Sequence, residues 1–116
     1  MPTNVPLRET AVITLNGAGA GTARVGPLSA REIWHPTVAA VKANAVPVLE
    51  AQCNIYVGLS ASAENFRDGC VDGSSGDSTG NVSGDTVPRG QYIFAVWTGG
   101  DANVQATLTV TGTKDV

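Results

Sequence analysis

The sequence predicts an all-β chain: a single antiparallel β-sandwich, jelly-roll or Ig-like, with an extended N-terminal arm. Three observations predict it. Apolar residues recur with a period of two in the most regular segments, which marks half-buried strands rather than helices. Turn residues punctuate those segments at short intervals, with 14 Gly and 6 Pro in the chain. Finally, 116 residues with a 42% hydrophobic share can fill one core but cannot build a deep-cleft enzyme scaffold. The expected organisation is an arm over residues 1–8 and one sandwich domain over residues 9–116.

The arm holds Pro2 and Pro6 and follows no pattern, so it reads as extended chain with too few apolar groups to anchor itself. Residues 10–15 place Ala11, Ile13 and Leu15 on one face, a first strand. Asn16-Gly17 opens a glycine-rich connection to a second strand over residues 22–25, and the Asn-Gly pair signals a hairpin. Gly26-Pro27 stops that strand. Residues 31–43 carry Ile33, Trp34, Val38 and Val41 around Pro36. The interior proline argues against a helix and for two short strands or one edge strand with a bulge.

Residues 49–57 are the clearest strand, with Leu49, Ala51, Cys53, Ile55 and Val57 alternating with Glu50, Gln52, Asn54 and Tyr56. Residues 60–89 are the least patterned third. Residues 62–66 suit one helical turn and residues 79–82 a short strand, and a wholly structureless loop of that length would be unusual. Residues 91–98 are apolar on both faces, as in a central strand or one buried against a neighbouring subunit. Residues 104–111 alternate again, with Val104, Ala106, Leu108 and Val110 facing inward. Ile13, Leu15, Leu49, Ile55, Ile93, Trp97, Leu108 and Val110 form the expected core.

Charge and composition exclude several functions. Seven basic and ten acidic residues give a net charge of −3, with no basic stripe, so nucleic acid is not an expected partner. No apolar run approaches the roughly 18 residues that span a bilayer, so no membrane role is expected. The N-terminus lacks the basic and apolar regions of a signal peptide, so synthesis in a cytosol without a cleaved leader is expected. Cys53 falls on the apolar face of its strand, and Cys70 in a Gly- and Asp-rich stretch. With nothing to suggest secretion, two thiols are favoured over a bridge, which would require the second segment to fold back over the first.

Each candidate chemistry meets a plainer alternative. Gly17, Gly19 and Gly21 lack the following helix that a dinucleotide site needs, so they read as a loop. Asp68, Asp72, Asp77 and Asp85 offer oxygens to Ca²⁺, but their spacing fits no calcium loop, and solvated turns explain them. His35 has no nucleophile motif beside it. The acids sit mostly at turns and strand ends, so a carboxylate pair for glycoside cleavage lacks support. No catalytic residue, metal site or cofactor is therefore expected. The aromatics Trp34, Trp97, Tyr56 and Tyr92 could stack on sugar rings. Tyr56, on the polar face of its strand, is the ligand-contact candidate, whereas Trp97 shares a face with Ile93 and Ala95 and reads as core.

Gly26-Pro27, Trp34, Cys53-Asn54-Ile55-Tyr56-Val57-Gly58 and the run from Gly90-Gln91-Tyr92 through Trp97-Thr98-Gly99-Gly100-Asp101 resemble small β-sandwich virion structural proteins of tailed phages, especially those infecting actinobacteria. The resemblance spans residues 10–113 and includes no catalytic signature. It implies a structural role in a virion, made in the host cytoplasm, with capsid or tail proteins as partners and self-association into a homo-oligomer. A capsid-surface decoration module is the leading expectation, with Pro2, Val5, Pro6 and Leu7 as a docking arm. A small tail-tip protein is the alternative within that class. A carbohydrate-binding module contacting a host-surface glycan through Tyr56 is the alternative outside it, and a small hydrolase built on His35 is the weakest.

Overall fold

The computed structural model of the chain describes residues 5–43, 51–72 and 77–116. Among these residues nine strands follow in order: β1 (Val5–Thr14), β2 (Gly21–Val25), β3 (Ile33–Ala43), β4 (Ala51–Gly58), β5 (Phe66–Asp72), β6 (Asp77–Asn81), β7 (Val87–Pro88), β8 (Tyr92–Thr98) and β9 (Gln105–Asp115). The one helical element among the described residues is a 3-10 turn over Ala63–Asn65, where the sequence places a single helical turn. No helix among them is long and apolar enough to cross a membrane.

The strands form two antiparallel sheets. One runs β1-β9-β3-β6, with β7 also pairing β3, and the other runs β2-β8-β4-β5. The sheets bury their inner faces against each other, giving the β-sandwich that the alternating pattern predicts. In β9, Ala106, Leu108 and Val110 are fully buried between half-exposed threonines. In β4, Ala51, Cys53, Ile55 and Val57 do the same from the opposite sheet. Burying each large aliphatic side chain contributes roughly 1.5–3 kcal/mol, so this period-two pattern decides which face turns inward. Strand β8 is apolar on both faces because it lies centrally between β2 and β4, with Ile93, Ala95 and Trp97 inside.

Of the expected core, Leu15, Ile55, Ile93, Trp97, Leu108 and Val110 are fully buried. Ile13 is half-buried and packs on the core from the edge strand β1. Leu49 lies outside the described residues.

Three expectations change. First, Val5, Pro6, Leu7 and Arg8 do not form an arm. They begin β1, in unbroken antiparallel register with Lys114, Thr113, Gly112 and Thr111 of β9. Leu7 is buried, which supplies the anchoring the sequence appeared to lack. Pro6 is tolerated because β1 is an edge strand, where a missing N–H can face outward. Met1, Pro2, Thr3 and Asn4 lie outside the described residues.

Second, Asn16-Gly17 does not close a hairpin. β1 and β2 belong to different sheets, and the turn carries the chain between them. Asn16 Oδ1 accepts hydrogen bonds from the N–H groups of Ala18 and Ala20, at 2.9 and 3.1 Å. Gly19 has φ +71°, and a side chain there would collide with the Gly100 carbonyl. That approach lets the Gly100 N–H donate to the Gly19 carbonyl at 3.0 Å, tying this turn to the β8–β9 turn. The glycine run is therefore structural.

Third, β3 is one continuous strand with neighbours on both sides, not an edge. Its register slips between Pro36 and Val38, as the bulge reading anticipates. On the other flank, β7 pairs with Ile33 and Trp34 while β6 pairs with Val38 onward, so the proline falls in the gap between them. Gly112 of β9 lies against the slip, where a side chain would strike the His35 carbonyl. The least patterned third holds three strands, β5, β6 and β7, in keeping with the pairing expected there, and β6 overlaps the strand expected over residues 79–82. Asp68 joins two of them, its Oδ2 accepting the Asn81 N–H at 2.8 Å.

Candidate functional site

The outer face of the β2-β8-β4-β5 sheet carries the most distinctive surface chemistry. Strand register places Arg24 opposite Phe94, Phe94 opposite Tyr56, and Tyr56 opposite Phe66. One row of three rings and a guanidinium therefore crosses all four strands. Tyr56 and Phe66 meet edge to face, with centroids 5.8 Å apart and planes at 75°. Tyr92 and Phe94 meet similarly at 5.8 Å and 61°. The Arg24 guanidinium sits 4.3 Å from the centre of the Tyr92 ring, a cation–π contact.

The row is graded from covered to open. Phe94 is buried beneath its neighbours, Tyr56 is half-buried, and Phe66 is 46% exposed at the sheet edge. Polar groups run beside the rings along β4. Gln52 Nε2 donates to Asn54 Oδ1 at 3.3 Å, and Asn54 Nδ2 reaches the Tyr56 hydroxyl at 3.5 Å. Gly69 lets these amides lie close to β5, because a side chain there would press on Gln52 Nε2 and Asn54 Oδ1 at 3.2 and 3.3 Å.

At the end of this sheet a shallow cleft of about 340 Å³ is lined by Ser60, Glu64, Asn65, Arg67, Asp85 and Gln91. Its strongest charges are already matched: Arg67 Nε donates to both Asp85 oxygens, at 2.9 and 3.1 Å. Arg67 reaches that position because the β4–β5 register slips between Ile55 and Tyr56, leaving it as the extra residue. The Asn65 side chain donates to the Ser60 carbonyl at 2.8 Å and fixes the cleft wall. The cleft is a rigid polar corner beside exposed Leu59.

The other sequence candidates occupy structural positions. Trp97 and Trp34 are buried, so neither offers a sugar-stacking face. Trp34 donates its indole N–H to Glu32 Oε1 at 2.7 Å, and Lys114 Nζ donates to the same oxygen at 3.2 Å. The Trp34 hydrogen bond, with help from Lys114, holds the Glu32 carboxyl below its ordinary pKa against the opposing effect of burial. Tyr92 has one face taken by Arg24.

His35 Nε2 stands 3.0 Å from Asp115 Oδ2, a cross-strand contact between β3 and β9. Asp68 and Asp85 serve β6 and Arg67, while the side chains of Asp72 and Asp77 lie outside the described residues. Among the described residues no three His, Cys, Asp or Glu groups converge as metal ligands. Tyr56 is thus the one sequence-named residue on the aromatic row. Phe66, Arg24 and Phe94 join it through strand pairing, which the sequence does not display. No protein-family model matches the chain, and no curated protein matches it.

Proposed function

We propose that this chain is a non-enzymatic structural protein of a tailed-phage particle, seated on the capsid surface as a decoration module. The observation that carries the reading is the aromatic row ending at Phe66, which is 46% exposed, together with Leu59, 74% exposed just past the end of β4. Aromatic side chains and Arg are the groups that anchor protein interfaces, because they bury large area with few rotatable bonds. A rigid sheet presents them without an ordering cost. The sequence resemblance to virion proteins supplies the biological setting, and particle symmetry would multiply one modest contact over many copies. Self-association and synthesis in the host cytoplasm belong to the same proposal.

Fractionating an infected-cell lysate on a density gradient, with detection by an antibody raised against the chain, tests this. Signal that bands with full particles and with tail-less heads is expected. Signal with isolated tails would move the protein to the tail tip, and signal only among free proteins would overturn the reading.

A second reading has its own observation. The Gln52–Asn54–Tyr56 ladder beside two rings combines hydrogen-bonding amides with apolar planes, as a neutral sugar requires. Glycan-array binding that is lost in Tyr56→Ala, with the thermal melt preserved, would support a host-surface glycan as ligand. An array blank for both proteins would remove it.

A further inference from the structure

The sequence leaves Cys53 and Cys70 as thiols in different settings, but strand pairing brings them together. Cys70 belongs to β5, not to a loop, and stands directly opposite Cys53 of β4 in antiparallel register. The pairing is regular on both sides, with Ala51 opposite Asp72, Gln52 opposite Val71, Asn54 opposite Gly69 and Ile55 opposite Asp68. Directly opposed residues of an antiparallel pair have Cα atoms about 4.5 or 5.5 Å apart, and both values lie within the roughly 4.4–6.8 Å span of a disulfide. The register thus places the two backbones at a separation that a disulfide can span.

We infer that Cys53 and Cys70 form a cross-strand disulfide once the folded protein meets an oxidising medium. The oxidant class is a low-molecular-weight disulfide such as oxidised glutathione, which reaches the pair when the edge strand β5 opens locally, because Cys53 is fully buried in the closed sandwich. One cysteine thiolate attacks the oxidant's S–S bond, forming a mixed disulfide and releasing one thiolate. The second cysteine thiolate then attacks the mixed disulfide, closing the protein S–S bond and releasing the other. Two electrons pass to the oxidant, and the two thiol protons leave to solvent.

The location gives the bond a purpose. β5 is the outer strand of its sheet and carries Phe66, the open end of the aromatic row. A bridge to β4 closes a loop of about 17 residues in the unfolded chain and ties that edge to an interior strand. In a reducing cytosol the pair remains dithiol, so folding there does not depend on it. Oxidation after release would then harden the presenting edge.

The full-length protein, refolded or purified under reductant, is incubated with oxidised glutathione, denatured, alkylated and weighed intact. The expected product has lost two hydrogens, takes up no alkylating reagent, and yields a Cys53–Cys70 linked peptide after proteolysis. Its thermal midpoint should exceed that of the dithiol form by on the order of 10 °C. Cys70→Ser and Cys70→Ala should both lose this redox-dependent difference. Two alkylated thiols, a stable glutathione adduct, or bridging only between molecules would each overturn the inference. Because the wild-type measurement needs no variant, a misfolded substitution cannot obscure the result, and none of these outcomes depends on where the protein resides.

Discussion

Replacing Trp97 by Ala tests how the sandwich core is held. Trp97 is fully buried in the central strand β8. Its direct cross-strand neighbours are Gly21 on β2 and Cys53 on β4, a residue with no side chain and a small one. Neither can swing in to fill the space left by the indole. A buried Trp removes roughly 150–250 Å² from water, which at about 25 cal/mol/Å² is worth about 4–6 kcal/mol as an upper figure. Measured truncations of buried aromatics fall at about 3–5 kcal/mol, so a loss near 4 kcal/mol is expected. With a urea m-value of about 2 kcal/mol/M, the unfolding midpoint should drop by about 2 M. Equilibrium unfolding followed by circular dichroism and by the remaining Trp34 fluorescence reads this directly. A midpoint within about 0.3 M of wild type would refute the packing argument, because no relaxation can hide a cavity between Gly21 and Cys53.

Three further outcomes follow from the same structure. Deleting residues 1–8 removes buried Leu7 and its pairing with Gly112, so it should cost roughly 2–5 kcal/mol in a thermal or urea melt, where a dispensable arm would cost almost nothing. Gly19→Ala must hold φ +71° and press on the Gly100 carbonyl, a penalty of about 1–3 kcal/mol, whereas Gly17→Ala meets open space and should melt close to wild type. Glu32 has a folded-state pKa depressed chiefly by the Trp34 hydrogen bond, so its contribution is present above the ordinary carboxylate range and lost as pH falls through the depressed value. The stability gap between wild type and Glu32→Gln in urea midpoints should therefore narrow on acidification, and a gap independent of pH would contradict the assignment.

What the sequence displays is what local periodicity controls. Strands β4, β8 and β9 are legible because inward and outward residues alternate, or because both faces are apolar in a central strand. The slip at Pro36 is legible because proline cannot donate to a ladder. What it hides depends on partners far along the chain. Val5, Pro6, Leu7 and Arg8 look like loose chain until β9 supplies their hydrogen bonds across more than a hundred residues. Asn16-Gly17 has the composition of a hairpin, yet pairing with β9 and β8 takes its two flanks into opposite sheets. Strands β5 and β6 are rich in Gly, Asp and Ser because they lie at sheet edges, where less apolar surface is buried. The same reasoning applies to the candidate site. Tyr56 stands out from its own strand pattern, but Arg24, Phe94 and Phe66 join it only through register.

The most direct measurement of the proposed role is co-sedimentation of purified wild-type protein and Phe66→Asp with phage particles that genetically lack the chain. Phe66 is 46% exposed at the sheet edge and outside the core, so the variant should keep the fold while placing a charge at the open end of the aromatic row. The account predicts that wild type pellets with the particles at a saturable stoichiometry and that Phe66→Asp binds at least tenfold more weakly. Equal pelleting of the two proteins, or wild type left entirely in the supernatant, would contradict it.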